Sequence, residues 1–164
     1  MTPDWQQVDA LQIAIRLAAA TLLGGVLGFD RELHSKPAGL RTHALVALGS
    51  ALSTLVTIQF VDGASIDHAA ITRTIQGIIA GVGFLGGGAI LKAEHDTVHG
   101  LTTAASIWLV ASLGMACGTG QWMAALIAWI FALLILVVGG PVEGLVHKIF
   151  DHHNHDHDDS VKLP

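Results

Sequence analysis

Five apolar stretches, each about as long as a bilayer's hydrocarbon core is thick, limit this chain's fold more than any other feature. They run Leu11–Phe29, His43–Val61, Thr74–Leu91, Leu101–Gly118 and Trp122–Gly140. A helix crosses the core with about 20 residues at 1.5 Å rise each. In lipid the backbone polar groups must be satisfied within the element, which favours helices over open strands. Composition agrees: 52% of the 164 residues are hydrophobic and 13% charged, about half the ~25% charge of a soluble domain. Mean hydropathy is +0.60. Turn chemistry follows every stretch, at Pro37-Ala38-Gly39, Asp62-Gly63, the polar run Lys92 to Gly100, Gly118-Thr119-Gly120 and Gly139-Gly140-Pro141. The expected fold is all-α, a polytopic bundle of about five transmembrane helices in a lipid bilayer. The transmembrane domain is expected over residues 1–146, with 147–164 as a disordered His/Asp-rich tail.

The opening MTPDWQQVDA has no basic n-region, so the first span is expected to stay as an anchor. Cys117 is the single cysteine, which excludes a disulfide framework. With five spans, the loops after spans one and three share a side with the C-terminus. They carry Arg31, Lys36, Arg41 and Lys92, against Arg73 alone on the other side. The positive-inside bias places the N-terminus outside and the C-terminus in the cytoplasm.

Two groups of residues stand out. The third span reads TIQGIIAGVGFLGGGAIL, with Gly77, Gly81, Gly83, Gly86, Gly87 and Gly88. In water each glycine costs a helix roughly 1 kcal/mol against alanine. In lipid, small residues let helix backbones approach closely. Helix packing is the first reading, and backbone carbonyls freed by unwinding at Gly86-Gly87-Gly88 the second. The pairs Gly24/Gly28, Gly77/Gly81 and Gly114/Gly118, each four apart, point to a homodimer. The second group is charge at the cytoplasmic face: Asp30, Arg31 and Glu32, then Arg41, Thr42 and His43, then Glu94, His95, Asp96 and His99. Arg41 is expected to clamp Asp30 or Glu32 with its planar fork. His43, with an ordinary pKa near 6.5, has the chemistry to sense acidification. Inside the spans Arg16 is the one clear charge, expected to snorkel or to bond a carbonyl. No Asp or Glu lies mid-span, where a proton relay or a hard cation such as Mg²⁺ would want one.

The stretches GGVLGFDRELHSKPAGLRTHALVALGSAL, GVGFLGGGAIL and VHGLTTAASIWLVASLGMACGTG resemble the MgtC/SapB family of bacterial inner-membrane proteins. The matching positions are Gly28, Arg31, Glu32 and Pro37 to His43, then Gly81, Gly83, Phe84, Leu85, Gly86 and Gly88, then Gly100 to Ala105. Asp30 stands where the family has Glu, and Gly87 where it has Ala. The resemblance implies a short form without the cytoplasmic ACT-like domain of longer members. It also implies a role in low-magnesium adaptation, a link to virulence in some pathogens, and an F-type ATP synthase as a candidate partner.

The tail DHHNHDHDD, with His152, His153, His155 and His157 after His147, has the composition of a weak transition-metal binder. It lacks the fixed spacing of a structural site. No nucleophile–base–orienter set, phosphate loop or strong zinc motif is present, which argues against an enzyme. The candidate ions are Mg²⁺ and, at the His-rich tail, a transition metal; no nucleic-acid partner is expected. The leading reading is a non-enzymatic regulator that binds another membrane protein. The alternative is a channel or transporter for Mg²⁺ or another divalent metal, using carbonyls near Gly86 and the acids Asp30 and Glu32.

Overall fold

A computed structural model describes residues 9–60, 68–90 and 99–158, with the side chains of 60, 68 and 141–158 outside the description. The described residues form five helices: α1 Ala10–Leu33, α2 Leu40–Phe60, α3 His68–Ile90, α4 Leu101–Thr119 and α5 Trp122–Asp158. All five are long and apolar enough to cross a membrane. Each matches one of the five apolar stretches, and the differences are at the ends. α1 continues four residues past Phe29, so Asp30, Arg31 and Glu32 lie on the helix. α2 begins at Leu40, which puts Arg41, Thr42 and His43 in its opening turns. α3 begins at His68 rather than Thr74.

The helices belong to two compact units. One comprises the chain up to Trp129, with α1 to α4 and the opening turns of α5; the other is the remainder, from Ile130. In the second unit α5 continues to Asp158.

In the first unit, α1 to α4 alternate in direction. Arg31 near the end of α1 reaches Thr103 at the start of α4, and Arg16 near the start of α1 reaches Gly118 at its end. Thr57 and Thr74 share a 2.8 Å hydrogen bond between the last turns of α2 and the first turns of α3. α4 is the most enclosed helix, 56% buried against 11% for α3. It packs on α1, α2 and α3.

Small residues set the spacing. The buried face of α1 is Ala20, Gly24, Leu27, Gly28 and Arg31, the repeat of one helix face. On α2 it is His43, Ala47, Ser50, Ala51, Thr54 and Leu55. A Cβ at Gly24 would lie 2.7 Å from both the Ala47 Cβ and the His43 carbonyl oxygen. One at Gly28 would lie 2.7 Å from the Gly39 oxygen. From the other side, a Cβ at Gly114 would collide with the Ala47 carbonyl, and one at Gly118 with that of Ala51. The close packing expected of the Gly24/Gly28 and Gly114/Gly118 pairs is therefore made inside one chain.

The third glycine group behaves differently. Gly86-Gly87-Gly88 stay helical in the last turns of α3, so the second reading, carbonyls freed by unwinding, is not met. A Cβ at Gly86 would rest 3.4 Å from Ala104, whereas one at Gly77, Gly81, Gly83, Gly87 or Gly88 would meet nothing within 4 Å. These five lie on the exposed side of α3.

Gly114→Val should therefore unfold the bundle at lower temperature, by roughly 1–3 kcal/mol of overpacking, while Gly81→Ala should leave stability unchanged. Thermal unfolding of both variants in one mild detergent checks this. Equal melting temperatures for Gly114→Val and wild type would show that the close contact to Ala47 does not limit the fold.

Candidate functional site

The polar residues at the α1–α2 loop end divide into a buried set and an exposed set. Arg31 (4% exposed) and His43 (0%) are inside. Asp30 is half-buried, and Glu32, Arg41 and Thr42 are exposed. Glu94, His95 and Asp96 lie outside the described residues, and His99 is exposed.

Local geometry brings the buried pair together. α1 closes with hydrogen bonds from Ser35 N to Glu32 O and from Lys36 N to Arg31 O, at 3.1 and 3.0 Å. This is the paired capping pattern in which the residue after the cap is left-handed. That residue is usually glycine, but here it is Ser35, at φ 51°, and Ala38 follows at φ 58°. Two non-glycine residues in this region turn the chain sharply, at order 1 kcal/mol or more each. The turn lays Gly39 against Gly28 and starts α2 beside the end of α1. Glu32 Oε2 then accepts a 3.1 Å hydrogen bond from Leu40 N, capping one of the free N–H groups at the head of α2.

Behind that turn runs a chain of side-chain hydrogen bonds into α4. Arg31 Nη2 donates to the Thr103 hydroxyl. Ser106 Oγ lies 2.8 Å from the Thr103 carbonyl and 3.1 Å from His43 Nε2. His43 Nδ1 lies 3.1 Å from the Gly39 carbonyl, which can only accept, so Nδ1 carries the proton. In the neutral ring Nε2 is then the acceptor, and the Ser106 hydroxyl donates to it. In the charged ring Nε2 donates to Ser106, whose proton turns to the Thr103 carbonyl. One serine rotor thus links the protonation of a buried imidazole to the first turn of α4.

Arg31 is the unusual member. It is a cation with no carboxylate bonded to its guanidinium among the described residues, and its buried Nε has no hydrogen-bond partner. Its position in the last turn of α1 places it at the negative end of that helix, which favours the charge. Arg16 takes the matching role at the other end: Nη1 donates to Gly118 O at 2.8 Å, the carbonyl partner expected of it.

The expected Arg41 clamp is not formed. Arg41 is exposed and makes no ion pair with Asp30 or Glu32, because Glu32 faces the Leu40 amide and Asp30 lies 3.7 Å from His34 Nδ1. The arginine that ties two helices together is Arg31. Ser106 was not singled out from the sequence, and Thr103 only as one position of the run Gly100 to Ala105. Their signal was present, since two hydroxyls three apart in an apolar span share a helix face and need partners.

For metals, no group of three or more His, Cys, Asp or Glu side chains converges among the described residues. The side chains of His147, His152, His153, His155 and His157 lie outside that set.

The chain belongs to the MgtC family, whose model matches residues 17–145. It is 46% identical over 138 residues to protein SrpB of Synechococcus elongatus, covering 79% of this chain and 76% of that one. It is 40% identical over 130 residues to the putative magnesium transporter YhiD of Escherichia coli, covering 77% of this chain and 60% of the relative. It is 43% identical over 126 residues to protein MgtC of Brucella abortus, covering 77% and 50%. The chain thus spans three quarters of SrpB but only half to three fifths of the other two. No solved structure matches it.

Replacing the two arginines separates their roles. Arg31→Ala should lower stability by roughly 2–3 kcal/mol, through lost packing of its stem and a stranded Thr103 hydroxyl. Arg41→Ala should leave the melting temperature unchanged. The reverse order of effects in detergent unfolding would return the clamp to Arg41.

Proposed function

We propose that this MgtC-family protein is a non-enzymatic membrane regulator that works by docking a helix of another membrane protein on the exposed face of α3. The observation that carries this reading is the division of labour among the glycines. Gly24, Gly28, Gly114 and Gly118 are taken up inside the chain, whereas a Cβ at Gly77, Gly81, Gly83, Gly87 or Gly88 would meet nothing within 4 Å among the described residues. Glycine lowers helix propensity, and in lipid its return is close approach by a second backbone. Five such positions on one span have no use within the described bundle.

On this reading the N-terminus is outside and the C-terminus cytoplasmic, in a bacterial inner membrane. The polar cluster of Arg31, His43, Thr103 and Ser106 then lies at the cytoplasmic end. The helix that docks belongs either to a second copy, in a two-fold dimer, or to a different protein, for which an F-type ATP synthase is the candidate implied by the family resemblance. The physiological setting is adaptation to low magnesium.

Magnesium transport is the second reading, favoured by the name of the Escherichia coli relative. The acids offered for it do not form a ligand set: Glu32 caps α2, and Asp30 sits beside His34. Mg²⁺ asks for near-octahedral oxygen ligation and sheds water reluctantly.

Gly81→Leu fills the α3 face without touching the bundle. It should abolish growth in low magnesium while membrane abundance and melting temperature stay at wild-type values. Wild-type growth of this variant at equal abundance would remove α3 docking as the function. Mg²⁺ uptake into liposomes containing only the purified protein would establish the transport reading instead.

A further inference from the structure

We propose that the cleft between the end of α1 and the start of α2 holds the headgroup of an aminophospholipid, a lipid with a phosphodiester and a primary ammonium. The cleft has a volume of about 370 Å³ and is lined by Phe29, Glu32, Leu33, Leu40 and Arg41. It lies where one span ends and the next begins, which in a bilayer is headgroup depth. Its volume is near the lower bound of small-molecule sites, enough for a headgroup and too small for a whole lipid.

Two opposite charges line this one cleft without pairing. Arg41 makes no ion pair or hydrogen bond through its side chain among the described residues. Glu32 uses Oε2 for the Leu40 amide, and Oε1 has no partner among them. A guanidinium and a carboxylate held apart in a shared cleft complement a ligand that carries both signs. The planar fork of Arg41 suits a phosphodiester, and Glu32 Oε1 is free to accept from an ammonium. The rest of the lining is apolar and open, with Phe29, Leu33 and Leu40 at 51%, 67% and 39% exposure. These give the glycerol and the first methylenes a surface leading back along the helices.

Other occupants fit less well. A bare divalent cation would meet one carboxylate beside a guanidinium, short of the oxygen shell it needs. An anionic headgroup without an ammonium would set its phosphate near Glu32 with Arg41 alone to offset the repulsion, and would leave Glu32 Oε1 unpaired. A choline headgroup has the positive charge, but its quaternary nitrogen has no N–H to donate to a carboxylate. The inference is independent of α3 docking, because it uses neither α3 nor a protein partner.

The test is lipid retention by the full chain. The protein is purified from bilayers of equal parts phosphatidylethanolamine, phosphatidylcholine and phosphatidylglycerol, and the bound lipids are counted by native mass spectrometry. The wild type should retain phosphatidylethanolamine over both others. Glu32→Gln keeps an oxygen to cap Leu40 but removes the charge, so the preference over phosphatidylcholine should fall about tenfold, the loss of one charge-assisted hydrogen bond. Arg41→Ala should lower retention of all three phospholipids. Equal retention of the three lipids by wild type, or an unchanged preference in Glu32→Gln with its melting temperature intact, would overturn the proposal.

Discussion

The bundle depends on how closely α2 can lie against two neighbours at once. Ala47 is the centre of this contact. Its Cβ faces Gly24 of α1, and its carbonyl faces Gly114 of α4. Lipid tails are as apolar as leucine, so helices in a bilayer gain little from hiding hydrophobic surface and much from van der Waals fit. The core is accordingly rich in small groups, with Ala20, Ala47, Ala51, Ala111 and Cys117 almost fully enclosed beside a few large ones such as Leu27 and Leu113. Many large side chains of this unit, such as Leu22, Phe84 and Met123, are exposed. That arrangement inverts the usual core of a soluble protein. It also means that few residues on the facing sides of α2 and α4 tolerate growth.

The close approach explains the polar interior. When α1, α2 and α4 pack this tightly, hydroxyl and imidazole groups on their shared faces reach one another without water. His43, Ser106, Thr103 and Arg31 are satisfied through each other and through the Gly39 carbonyl. In a low-dielectric setting such a chain strengthens each link and penalises each gap. The unpaired Nε of Arg31 is the gap. Charge at this end is therefore sorted by depth, with one arginine inside a hydrogen-bonded chain and another, Arg41, held at the surface of a cleft.

The spans were legible in the sequence because hydropathy and length act on segments about 20 residues long, and errors of a few residues at the ends do not matter. The glycine pairs of α1 and α4 were legible as packing faces for the same reason: a spacing of four marks one side of a helix. The partner of each charge was not legible. Arg31 and Arg41 are ten residues apart and either can reach a neighbouring helix end; Arg31 continues the buried face of Ala20, Gly24, Leu27 and Gly28, while the start of α2 that carries Arg41 is placed by the left-handed Ser35 and Ala38. Neither residue type announces that conformation. The exposed glycines of α3 were also not separable from the buried ones, since composition marks a close-packing face without telling whether its neighbour lies in the same chain.

The two arginines of α1 make a ruler. Fifteen residues separate Arg16 from Arg31, and fifteen separate Thr103 from Gly118, the groups they reach on the antiparallel α4. At 1.5 Å per residue both intervals measure about 22 Å. Because the lengths are equal, one register of α1 against α4 satisfies both contacts. A single-residue insertion between the marks turns one end by about 100° relative to the other and breaks the match. A slip by a full turn, about 5.4 Å, releases both arginines together. Length changes in this protein therefore belong to its loops and its tail.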